Sequence, residues 1–142
     1  MSLRLMNSQV EQMIREARAA APDECCGILT GRRERERVMV STLEPAANVW
    51  DGDRRSRFLL EPRTHLRVQR ECRAAGLEIV GFYHSHPDSP PVPSLFDREM
   101  AWPDHAYVIV SLSGPEPSLR TWRLTPGGDR FEEQPLVIAP AR

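Results

Sequence analysis

The chain has 142 residues, a formal net charge of −1 from 19 Lys plus Arg against 20 Asp plus Glu, and 40% hydrophobic content. That length fits one domain over residues 1–142 with a single core, and leaves little room for a second. The charge balance gives no reason to expect nucleic acid or an anionic membrane as the main partner, and no stretch approaches the roughly 18 apolar residues of a membrane span. Cys25, Cys26 and Cys72 are odd in number, with two adjacent, a poor disulfide framework that points to a reducing compartment. With no signal peptide evident, the expected setting is the cytoplasm.

Ser8 followed by Glu11 reads as a capping box, and Val10, Met13, Ile14 and Ala17 recur at helical spacing, so a first helix is predicted from about 8 to 20. Pro22 ends it. Met1-Ser2-Leu3 receives no structural weight. Cys25 to Gly31 suits a buried strand, and Arg37 to Leu43 a partner strand across the charged turn Arg32 to Arg37. Residues 44–56 read as a loop and Phe58 to Leu60 as a short strand. Pro62 opens a second helix that Gly76 closes, with Leu66, Ala74 and Ala75 on its inner face.

Leu77 to Tyr83 is apolar and β-rich, and Gly81 permits close backbone approach. Pro87, Pro90, Pro91 and Pro93 make the next segment a stiff loop. A short helix follows from Ser94 to Met100 or Trp102. Tyr107 to Leu112 and Leu119 to Leu124 are strands, and a last one includes Phe131. The tail from about 135 is left unassigned. This order indicates an α/β (α+β) fold, a mixed sheet with helices packed on it.

Chemistry concentrates in His84-Ser85-His86-Pro87, six residues, then Ser94-Leu95-Phe96-Asp97. On a strand, residues i and i+2 share a face, so His84 and His86 present two imidazoles side by side. The proline loop returns the chain so that Asp97 faces them. Two nitrogens and one carboxylate oxygen make a three-ligand zinc site with a fourth position open for water, the arrangement of catalytic rather than structural zinc. Glu24, at the mouth of a buried strand, is the candidate base for that water. Ser94 caps its helix and offers a hydroxyl to a developing oxyanion.

Taken together, Glu24, His84-Ser85-His86-Pro87, Ser94 and Asp97 resemble the signature of the JAMM, or MPN-plus, metalloproteases: an upstream glutamate, then H-x-H-P, six residues, serine, two residues and aspartate. Pro22 to Leu29, Asn48, Phe58 and Gly81-Phe82-Tyr83 also fall where related sequences carry similar residues. The resemblance implies a cytidine-deaminase-like sheet with flanking helices. It implies one zinc on His84, His86 and Asp97, with Glu24 as acid/base and Ser94 steadying the tetrahedral intermediate. It further implies hydrolysis of the amide bond after the diglycine end of a ubiquitin-like protein. The short chain looks closer to small prokaryotic members that trim sulfur-carrier proteins, a link to cysteine or sulfur-metabolite biosynthesis. The carrier, the released group and the oligomeric state, a homodimer included, stay open.

His65 and His105 lack matched partners and read as structural. Ser85 points away from its neighbours' face and reads as a packing or backbone-bonding residue, and Cys25 and Cys26 read as small buried hydrophobes. Asn48 reads equally as a groove residue or a turn asparagine, and segment 44–60 as one wall of the passage to the metal. Among rivals, amidohydrolase barrels need roughly 200 residues or more; HExxH and the PCxxC of fold-related deaminases are absent. A non-catalytic scaffold would be expected to lack a member of the signature, and the near-neutral charge gives a RadC-like DNA-repair reading little support.

Overall fold

The computed structural model describes residues 1–140. In chain order its elements are β1 (Ser2–Met6), α1 (Asn7–Ala20), β2 (Cys26–Arg33), β3 (Arg37–Ala46), α2 (Pro62–Ala75), β4 (Glu78–His86), α3 (Leu95–Met100), β5 (Ala106–Ser111), β6 (Ser118–Leu124), β7 (Phe131–Gln134) and β8 (Leu136–Ala139). The strands form one mixed sheet in the order β7-β6-β5-β4-β2-β3-β1-β8. β4 lies in its middle, antiparallel to β2 and parallel to β5.

One face of the sheet carries the larger core. Leu29, Val80, Tyr83, Val108 and Val110 pack there with Leu3, Leu5 and the apolar stripe Val10, Met13 and Ala17 of α1. The opposite face is smaller: Ile28, Phe82 and Tyr107 meet Val68 and Cys72 of α2. Helix α2 covers only part of that face, and the space beyond it holds the candidate site. A bulge fixes which β4 residues face it. Leu29 pairs with Gly81 but Thr30 with Ile79, so Val80 is an extra residue. Beyond the bulge Phe82 turns to the α2 face and Tyr83 to the α1 face. Gly81 is required where the strands converge: a Cβ there would lie 2.2 Å from the Ala106 carbonyl oxygen.

Several sequence expectations are corrected. The Ser8 capping box does not form; α1 starts one residue earlier, and the Met6 N–H donates to Gln9 Oε1 at 2.8 Å. The cause is β1, unforeseen in the sequence, which runs straight into the helix. Buried Gln9 satisfies the junction and also donates to the Val40 and Ser41 carbonyls. Leu3 and Leu5 are fully buried, so the N-terminal residues are core. Within the tail from 135, Leu136–Ala139 form β8, parallel to β1, and residues 141–142 lie outside the described residues. Phe58 to Leu60 makes only a single bridge, Asn48 with Leu60.

Helix α2 begins at Pro62 and ends at Gly76, whose φ of 70° is the left-handed cap only glycine adopts freely. Its inner face is Val68 and Cys72. Leu66 is 48% exposed and Ala74 and Ala75, in the last turn, are exposed as well. Among the described residues no helix is long and apolar enough to cross a membrane.

Candidate metal centre

His84 and His86 end β4 on one face, separated by Ser85, and all three are buried. Ser85 points the other way and accepts the Cys25 N–H at 2.8 Å, as expected of a backbone-bonding residue. The two imidazoles converge: His84 Nε2 and His86 Nε2 are 3.2 Å apart, and Asp97 Oδ2 lies 3.2 Å and 3.1 Å from them. Asp97 reaches them from the first turn of α3. There Ser94 Oγ accepts the Asp97 N–H at 3.0 Å, and the Asp97 carboxylate accepts the Ser94 N–H at 2.9 Å.

Burial works against the Asp97 carboxylate, but the His84 and His86 rings and the Ser94 N–H hold it far below the usual range. Burial likewise opposes charge on His86, but its bonds to Asp97 and the Pro90 carbonyl, with the Asp97 and Glu24 charges, together outweigh that and leave the imidazole raised. The donor set fits a divalent metal. Three potential ligand atoms, one from each residue, lie within 4.8 Å of one another in a buried spot. Two imidazole lone pairs facing each other at this distance repel unless a proton or a cation lies between them. Two nitrogens and one oxygen leave one tetrahedral position free.

The stiff loop 87–93 has a defined task. His86 Nδ1–H donates to the Pro90 carbonyl at 2.8 Å, which turns Nε2 toward the cluster. Trp122 Nε1–H holds the same loop through the Pro91 carbonyl at 3.0 Å. Proline density in the sequence signals the stiffness, but not which carbonyl faces the histidine.

Glu24 is 4% exposed, and its Oε1 has no hydrogen-bond partner among the described residues. Since Cys26 pairs with His84 in antiparallel register, Glu24 falls opposite His86. Burial pushes its carboxyl up to about 8, against the lowering effect of His86 and with a smaller raising one from Asp97. Its backbone is clamped by the loop 48–60: its N–H donates to the Arg54 carbonyl at 2.7 Å, and its carbonyl accepts from Asn48 Nδ2 at 3.0 Å. Asn48 is therefore a structural asparagine.

A cavity of about 280 Å³ opens beside His84 and Asp97. Phe58, Leu59 and Leu60 form one wall, which fits the expected role of segment 44–60, and Phe96, Met100 and Trp102 form the other. Its lining is mostly apolar, with His65, His84 and Asp97 among the side chains that face it.

The remaining sequence candidates stay outside the cluster. His65 lies edge-on to Phe82, and His105 donates to the Pro103 carbonyl. Burial pushes the Cys25 and Cys26 thiols up to about 11 and about 12, which removes them as nucleophiles.

The fold and this histidine–aspartate cluster define the class. Residues 6–125 match the family described as prokaryotic homologs of the JAB domain, and the chain belongs to that metal-dependent family. It is a hydrolytic enzyme by that membership and by its relatives. It is 36% identical over 118 residues to a desampylase from Haloferax volcanii, covering 82% of this chain and 79% of that protein. It is 33% identical over 132 residues to the CysO-cysteine peptidase of Mycobacterium tuberculosis, covering 91% and 86%. The solution structure of protein DSY2949 from Desulfitobacterium hafniense superposes with a TM-score of 0.86 at 30% identity, covering 98% of this chain and 94% of that one.

Proposed function

We propose that this chain is a single-domain, zinc-dependent peptidase that hydrolyses the amide bond after the diglycine end of a ubiquitin-like sulfur-carrier protein in the cytoplasm. The product is the carrier with a free diglycine carboxylate, plus an amino acid, a short peptide or a lysine-bearing protein. The observation that carries this reading is the triangle of His84 Nε2, His86 Nε2 and Asp97 Oδ2 at 3.1 to 3.2 Å, next to a buried, unpartnered Glu24. The desampylase and peptidase names of the relatives support the substrate class.

His84, His86 and Asp97 would hold the zinc. When bound, it supplies a Lewis acid that polarises the scissile carbonyl and makes water a nucleophile at neutral pH. The chain's own groups manage the protons. Glu24 takes one from the attacking water as the C–O bond forms, and delivers it to the departing amine as the C–N bond breaks. Ser94 Oγ accepts the Asp97 N–H, which leaves its own hydroxyl proton free for the developing oxyanion.

The test is zinc content by elemental analysis on wild type and His86→Ala, followed by cleavage of a ubiquitin-like carrier extended past its diglycine. About one zinc per chain is expected, strongly weakened in His86→Ala. Wild type that takes up no zinc after refolding with it would leave a non-catalytic scaffold as the reading.

A further inference from the structure

The two histidines of the cluster are held differently. His86 donates its outer nitrogen to the Pro90 carbonyl, the usual way a metal-binding imidazole is fixed. The corresponding Nδ1 of His84 is buried and has no partner among the described residues. Hydrogen bonding therefore reaches that ring only at Nε2, inside the cluster, and nothing fixes it from its outer edge. What lies against it is Phe58, stacked face to face with centroids 4.6 Å apart and planes inclined by 25°.

Phe58 is itself held on both sides. Asn48 brackets it: Nδ2 donates to the Arg57 carbonyl at 3.1 Å, and Oδ1 accepts the Leu59 N–H at 3.0 Å. The neighbouring Arg57 guanidinium lies 4.7 Å over the ring of Phe96 on α3, and Trp50 meets Phe96 edge-on at 5.0 Å. The loop 48–60 thus grips the helix that carries Asp97 and presses one aromatic ring onto His84.

We propose that Phe58 is a positioning residue of the metal centre, orienting the His84 imidazole by ring stacking where its partner histidine uses a hydrogen bond. This rests on the reading of His84, His86 and Asp97 as metal ligands. Packing against a flat face restricts ring tilt, and an offset stack has a preferred geometry that an aliphatic side chain lacks. The role belongs to the ring rather than to its bulk.

The experiment compares wild type, Phe58→Leu and Phe58→Tyr. Zinc affinity is read by chelator competition and ligand geometry by the visible absorption of the cobalt-substituted protein. Melting of the metal-free proteins is recorded alongside. Phe58→Leu should weaken zinc by about tenfold or more, the usual size of losses around metal ligands, and shift the cobalt bands. Phe58→Tyr, which keeps the ring, should restore both. A purely structural role would lower metal-free melting but leave the cobalt spectrum unchanged. Equal affinity and spectrum in Phe58→Leu would overturn the proposal. If the Leu variant does not fold, Phe58→Met, nearer in volume, repeats the loss of the ring. Wild type that binds neither metal refutes the metal reading itself, and this proposal with it.

Discussion

Ser94 and Asp97 hold each other reciprocally, each backbone N–H donating to the other's side chain, at 2.9 Å and 3.0 Å. The same carboxylate oxygen, Asp97 Oδ2, also faces both histidines. One helix cap therefore sets the third corner of the histidine–aspartate cluster.

Ser94→Ala removes the cap and the hydroxyl donor together. Stability should fall by about 0.5–2 kcal/mol and kcat by roughly 10²–10³, while zinc is retained because the backbone N–H at position 94 still holds the Asp97 carboxylate. Ser94→Thr keeps the hydroxyl and should recover most of both. Urea unfolding, metal analysis and steady-state kinetics separate the effects.

Glu24→Gln keeps the shape of the side chain and cannot take a proton. Zinc content should stay near wild type while cleavage falls by about 10²–10⁴. A variant that loses zinc as well would make Glu24 a ligand rather than a base.

In the metal-free protein, Glu24 also makes stability depend on pH. Burial lifts its carboxyl from 4.5 to about 8, so between those values the folded state keeps a proton that the unfolded chain has released. This contribution is fully present below 4.5 and is lost as pH rises through 8. Melting of the metal-free wild type should therefore decline more steeply from pH 5 to pH 8 than that of Glu24→Gln. Parallel declines would show that Glu24 is not buried in that form.

Metal removal has its own signature. A ligand that binds only the folded chain stabilises it by about 4 kcal/mol at a free concentration a thousandfold above Kd. Adding a chelator should lower Tm in wild type and leave His86→Ala almost unmoved. Calorimetry with and without chelator measures both.

Gly27→Ala tests the sheet next to the site. A Cβ at Gly27 would lie 2.2 Å from the buried Tyr83 ring, whose hydroxyl donates to Glu16 at 2.6 Å. Moving that ring should cost about 1–3 kcal/mol in unfolding free energy, with the metal cluster on the opposite face retained.

By itself, the sequence determined the elements whose signals are local. Pro62 and Gly76 mark both ends of α2, apolar runs or alternation mark β2 to β6, and H-x-H on a strand followed by the Ser94 cap places three candidate ligands through period-2 geometry and one helical turn. What depends on distant partners was decided only in three dimensions. β1 and β8 are strands because β1 pairs with β3 and β8 pairs with β1, and short terminal segments carry little pattern of their own. The inner face of α2 depends on its rotation against the sheet. The Pro90 carbonyl on His86, the Phe58 ring on His84 and the Asn48 clamp on Glu24 join residues brought together by loops, where no periodicity links sequence spacing to contact.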